Sequence, residues 1–324
     1  MKHLLLLIGL VFVLAGCAGK EFYEPEDTIG NYDNNKASLN GDIITMNKDG
    51  ATLDNGEIIT KRGVSKFKIP EEYNFLNISN DIVISSNYKD KVLVDKKEIL
   101  VNGVVIAASL KENKLALLFS DNSIQLYDME TEKILLKEYF QHSYVNDTRI
   151  ANPYFMNNII LFPTLDGKIV VVSEANNQVI KNIIVDADGQ FNNIIFLDVI
   201  NDTLVAATAN KLISVGDGIL NLKDYNIRDI ITKNNNIFIA TIDGQIIKTD
   251  ISLNIMDRRK YKYAKFYALA YGTSLYALES QGYLINISND FKSDKIYDFS
   301  FDNEQKVIAL GDTIYYDDES IILK

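Results

Sequence analysis

Asn236-Ile237-Phe238-Ile239-Ala240, followed by Asp243-Gly244-Gln245-Ile246-Ile247, sets two β-branched, apolar runs on either side of an Asp-Gly pair. That is the composition of two antiparallel strands closed by a tight hairpin turn. The phrase recurs at Asn158-Ile159-Ile160-Leu161-Phe162, with Asp166-Gly167 leading into Lys168-Ile169-Val170-Val171-Val172. Further copies begin at Asp81-Ile82-Val83-Ile84, Lys114-Leu115-Ala116-Leu117-Leu118, Thr203-Leu204-Val205-Ala206-Ala207, Ser274-Leu275-Tyr276-Ala277-Leu278 and Lys306-Val307-Ile308-Ala309-Leu310, with a weaker one at Asp42-Ile43-Ile44.

These starts lie roughly 30 to 45 residues apart, the length of a four-stranded propeller blade with its hairpin turns. A β-sandwich also has short strands, but it does not hold a turn in a fixed slot. Here Asp121-Asn122 and Gln281-Gly282 fall after the same strand as the two Asp-Gly pairs. No long stretch has a helical apolar period, and the best helix candidate, residues 258–271, alternates acceptably as two strands. The expected fold is all-β: a β-propeller of eight four-stranded blades, or of seven if the first and last copies share one.

The N-terminus reads Met1-Lys2-His3, then an apolar run over residues 4–13, then Leu14-Ala15-Gly16-Cys17. A short positive region, an apolar core too short to span a bilayer and small residues at the end describe a signal peptide over residues 1–16. Leu14-Ala15-Gly16-Cys17 resembles the lipobox of bacterial lipoproteins. The resemblance implies lipidation of Cys17, and Ala18 after it implies the outer membrane. Residues 17–36 are polar and charged with few aliphatics, so a lipidated flexible tether is expected there, and the propeller domain over residues 37–324. Cys17 is the one cysteine, so the mature chain has no disulfide framework or thiolate metal cluster.

The net charge is −11 and the pI is about 4.8, which lacks the basic footprint that nucleic acid requires. His142 is the single histidine after the signal region, which excludes histidine clusters. It lies between Phe140 and Tyr144 with no nucleophile motif nearby and reads as a loop residue. Asp186-Ala187-Asp188-Gly189 resembles the start of a calcium loop but reads as a hairpin turn, because Phe191-Asn192-Asn193-Ile194-Ile195 follow where more acids are needed. Glu71-Glu72 and Asp317-Asp318-Glu319 read as solvated turns. Tyr261-Lys262-Tyr263, Phe266-Tyr267 and Tyr315-Tyr316 suit contact surfaces or blade packing equally. No catalytic residue, cofactor or metal ligand is assigned, and no enzyme activity is expected.

Ile124-Gln125-Leu126-Tyr127-Asp128-Met129-Glu130-Thr131-Glu132-Lys133-Ile134-Leu135-Leu136-Lys137 resembles the pyrroloquinoline-quinone-type propeller repeat, with looser echoes at residues 170–181 and 246–258. Such repeats behind a lipobox resemble the BamB family, propeller lipoproteins of the outer-membrane barrel-assembly machinery. The family's repeat ends on a tryptophan that docks between blades. This chain has no Trp: Leu136 and Lys181 stand in that place, and Glu132 stands where the turn glycine belongs. The resemblance implies a non-enzymatic scaffold at the periplasmic face of the outer membrane, binding envelope proteins and in particular the barrel-assembly complex. The alternatives are a ligand-binding or enzymatic propeller that uses funnel carboxylates and a metal, or a surface adhesin.

Overall fold

The computed structural model describes residues 21–32, 35–143, 149–187, 192–301, 304 and 306–324. Among them every regular element is a β-strand, and the strands form eight four-stranded antiparallel sheets. Seven are meanders of consecutive strands: blade A (residues 43–68), B (74–100), C (105–139), D (154–184), E (196–224), F (227–260) and G (266–298). Blade H takes Ile308–Leu310, Thr313–Tyr316 and Glu319–Ile322 from the C-terminal end and Lys36–Ser38 from the N-terminal end. Lys36 pairs with Ile321 and Ser38 with Glu319, closing the ring. The two chain ends therefore do share a blade, yet the weak copy at Asp42-Ile43-Ile44 builds a complete blade A of its own. The eight-bladed propeller expected from the repeats is the one observed.

The recurring phrase marks the second and third strands of a blade. In blade F, Asn236–Thr241 pairs with Gln245–Asp250, with Ile239 opposite Ile247. Gly244 is required at the turn: its φ is +82°, and a Cβ would come within 2.3 Å of the Tyr261 carbonyl oxygen. Gly167 is constrained in the same way by the Asp186 carbonyl oxygen, 2.1 Å from where a Cβ would lie. A threonine pins each of these turns, the hydroxyls of Thr164 and Thr241 accepting from the backbone N–H of Lys168 and Gln245 at 3.0 Å. Residues 258–271 divide between the outer strand of blade F, Ile255–Lys260, and the inner strand of blade G, Phe266–Tyr271.

The core lies between blades. Leu118, Ile124 and Leu126 of blade C pack with Ile160, Phe162 and Val170 of blade D, all fully buried. Each such side chain stabilises the fold by about 1.5–3 kcal/mol through removal from water. Leu136, in the place of the docking tryptophan, packs against this cluster, whereas Lys181 is exposed. Glu132 adopts the left-handed conformation, φ +55°, that the glycine of the repeat would take.

Of the stretch expected as a tether over residues 17–36, residues 21–32 lie against the ring. Tyr23 is buried between Tyr261 and Tyr283, at the seam of blades F and G, and Tyr32 is buried between Tyr276 and Tyr297 against blade H. Toward Tyr32 the backbone makes a parallel bridge, Asn31 to Asp298, on the outer edge of blade G. Ile29 N–H donates to the Ile296 carbonyl (2.9 Å), Asp298 N–H to that of Gly30 (3.0 Å), and Tyr32 N–H to that of Asp298 (3.1 Å). Two tyrosines bury enough area to fix a segment that is otherwise polar. The closing strand begins at Lys36, one residue before the expected domain boundary.

Candidate functional site

The innermost strands enclose a cavity of about 790 Å³, its wall drawn from all eight blades. The first hairpin turn of blade A, Lys48-Asp49, reaches across it. The Lys48 ammonium pairs with Asp229 of blade F, whose other carboxylate oxygen accepts the Leu269 N–H of blade G at 2.7 Å. Asp49 accepts from Lys61 and from the Asn152 amide, each at 2.7 Å, and the Asn152 carbonyl oxygen accepts the Ala108 N–H of blade C at 2.9 Å. The carboxylate of Asp49 holds the Lys61 ammonium above its ordinary pKa. Asp198 of blade E accepts the Thr232 hydroxyl of blade F.

These contacts belong to a wider set of side-chain ties between neighbouring blades. The Asn77 amide donates to the Ala108 carbonyl and the Ser109 hydroxyl, at 2.9 and 2.8 Å. The Asn122 side-chain oxygen, Oδ1, accepts the Leu165 N–H at 2.8 Å, and the Thr52 hydroxyl accepts the Phe75 N–H at 2.8 Å. Polar side chains thus satisfy backbone groups where separate sheets meet, a demand that a ring of short blades creates and an apolar wedge cannot meet. Asp49, Asp198 and Asp229 are engaged in this work. Among the described residues, no group of three or more His, Cys, Asp or Glu side chains could hold a metal ion.

The outer rim carries a different chemistry. The fourth strands of three consecutive blades expose Ile134 and Tyr139 (C), Ile180 and Ile184 (D), and Ile219, Leu220 and Leu222 (E). Ile219 is 62 % exposed and Ile180 57 %. Large apolar side chains next to unpaired edge backbone form a surface suited to a polypeptide partner. Blade C stands across the ring from blade G, whose edge residues 29–32 already cover.

Cys17, Asp188 and Gly189 lie outside the described residues. His142 is exposed beyond the outer strand of blade C. Asp186 is buried, pairs with Lys211 at 3.3 Å and accepts the Thr208 hydroxyl at 3.4 Å, so its carboxylate serves blade packing. Glu71 and Glu72 form an exposed turn; Asp317 and Asp318 turn between the last two strands. Tyr261, Phe266, Tyr315 and Tyr316 are buried, which resolves them as packing residues, while Tyr263 is exposed. Lys48, Asp49, Asn152 and Asp229 carry no signature in the sequence, since a polar residue that ties blades looks like any loop or strand polar residue. The rim has one signal, Ile219-Leu220-Asn221-Leu222, which sits outside the recurring phrase in a slot where blades normally turn polar residues outward.

The geometry defines an eight-bladed β-propeller with a cross-braced centre and an apolar rim. No family model matches the chain. It is similar to the plasminogen-binding protein PgbB of Helicobacter pylori strains J99 and 26695, at 29% identity over 91% of this chain. The chain spans 64% of the length of those relatives. Among solved structures it resembles BamB from Moraxella catarrhalis, with a TM-score of 0.67, 13% identity, and coverage of 88% of this chain and 97% of that one. It also resembles Saccharomyces cerevisiae Sqt1, with a TM-score of 0.57, 13% identity, and coverage of 93% and 99%. The two structural likenesses concern the fold.

Proposed function

We propose that the chain is a non-enzymatic propeller of the bacterial envelope, held to the outer membrane by lipid on Cys17, that binds other proteins through the apolar rim of blades C to E. The observation that carries this reading is the similarity, along 91% of the chain, to proteins named for binding another protein. The exposed rim gives that reading a surface, and the engagement of the funnel carboxylates favours it over catalysis. The finer reading favoured by the sequence similarity is capture of plasminogen or a protein like it. A second reading, an accessory of the outer-membrane barrel-assembly machinery that aids barrel insertion, draws on the BamB-like fold and the lipobox.

Purified full-length protein would be passed over immobilised plasminogen and, separately, used to capture partners from envelope extracts. Saturable plasminogen binding supports the first partner, and recovery of barrel-assembly components supports the second. Neither outcome in both formats would overturn protein binding as the function.

A further inference from the structure

We propose that the seam between blades F and G is the membrane-facing side of the propeller, where Lys262, Tyr263 and Lys265 lie against anionic phospholipid headgroups. This rests on the reading of Cys17 as the lipid anchor. Cys17 lies six positions before Tyr23, and an extended chain covers at most about 3.3–3.6 Å per residue, so the lipid sits within roughly 20 Å of that buried ring. Tyr23 packs edge-on against Tyr261, at a centroid distance of 5.9 Å, and against Tyr283, at 5.7 Å. Tyr23 is therefore fixed to one place on the ring, and the lipid is confined to its reach.

What surrounds that place suits a bilayer surface. The connection from blade F to blade G carries Lys262, Tyr263 and Lys265, all exposed, in a chain whose net charge is −11. The Lys262 ammonium stands 4.5 Å from the Tyr263 ring centroid, a cation beside an amphipathic aromatic as interfaces favour. Hydrogen bonding with Tyr263, and more weakly the charge of Glu21, hold the Lys262 ammonium above its ordinary pKa; Lys260 is committed to Asp243, and Arg259 to Asp294. Lys262 and Lys265 are thus the lysines of this connection that the headgroups would meet.

The topology fixes what such an orientation presents. In a meander blade the first and third hairpin turns share one end, and the second turn and the connection to the next blade share the other. Lys48 and Lys61 sit in turns of the first kind, and residues 261–265 in a connection of the second. With the F–G connection on the bilayer, the lysine-bearing mouth of the channel faces away from it.

The test uses processed full-length protein in vesicles of phosphatidylcholine with phosphatidylglycerol, carrying either Lys262→Cys or Lys96→Cys with a fluorescent label; Lys96 is exposed in the third turn of blade B, at the other end of the ring. Cys17, if thioether-linked to lipid, does not take the label. Quenching by headgroup nitroxide lipids should be severalfold stronger at 262 than at 96, and the difference should shrink when phosphatidylglycerol is omitted. Equal quenching at both positions in protein that floats with the vesicles overturns the orientation alone. Protein that does not float, with Cys17 open to the label, overturns the anchor and the orientation together.

Discussion

The ring of Tyr32 stands edge-on to that of Tyr297, with centroids 4.9 Å apart, and closes the seam between blades G and H from outside. With Tyr23 at the preceding seam, it makes residues 21–32 part of the propeller wall. Tyr32→Ala should lower stability by about 3 kcal/mol, since a buried aromatic is lost and a cavity is left. Tyr23→Ala should cost about the same and increase proteolysis ahead of residue 36. Chemical denaturation with mass-spectrometric mapping of the cut sites checks both. A loss below about 0.5 kcal/mol would mean that the segment is a loose tether after all.

Lys48 and Asp229 brace blade A against blade F across the centre. Asp229→Ala should destabilise by about 3 kcal/mol, because it strands the Leu269 N–H and leaves the half-buried Lys48 ammonium without its carboxylate. Lys48→Met should cost less, since Asp229 keeps its two backbone donors. Urea titrations of the two variants would read the order, and a larger loss in Lys48→Met would contradict it.

Two positive-φ turn residues should respond oppositely to glycine. Glu132→Gly relieves a left-handed backbone and loses only an exposed ion pair with Lys97, so stability should rise or stay within about 0.5 kcal/mol. Asn122, φ +63°, ties blade C to blade D through Leu165 and also donates to the Gln141 carbonyl. Asn122→Gly should therefore cost about 1–3 kcal/mol despite the easier backbone. Thermal melts compare the pair directly.

Hydrogen bonding from Lys260, then from Thr241, holds the Asp243 carboxyl at a pKa of about 2. Because the folded value lies below the unfolded one, the contribution is present above about pH 4 and fades as pH falls toward 2. The side chain is half exposed, so the effect is small, under about 1 kcal/mol. Stability measured against pH should show wild type ahead of Asp243→Asn above pH 4, with the curves meeting near pH 2. Parallel curves would contradict the coupling.

The eight blades were legible because strand composition and Asp-Gly turns repeat with the chain. Glu132 and Leu136 were legible as departures from one repeat, and the structure gives each the conformation or packing of the residue it replaces. Tyr23 and Tyr32 were not, since a composition dominated by Glu, Asp and Asn outweighs two aromatics whose partners lie more than two hundred residues away. The braces at Asp49, Asn152 and Asp229 depend on which turn reaches across the ring, a relation with no local signature. The apolar rim was hidden by the same logic that found the strands, because an exposed isoleucine and a buried one read alike in a β-rich run.

Protein binding by the rim of blades C to E is tested most directly by a photoreactive residue in place of Leu222, activated on intact cells incubated with plasma. Discrete protein adducts are expected at position 222, reduced by about tenfold when Ile180→Asp and Ile219→Asp are added. Absence of adducts at 222, or adducts unaffected by those two changes, would contradict it.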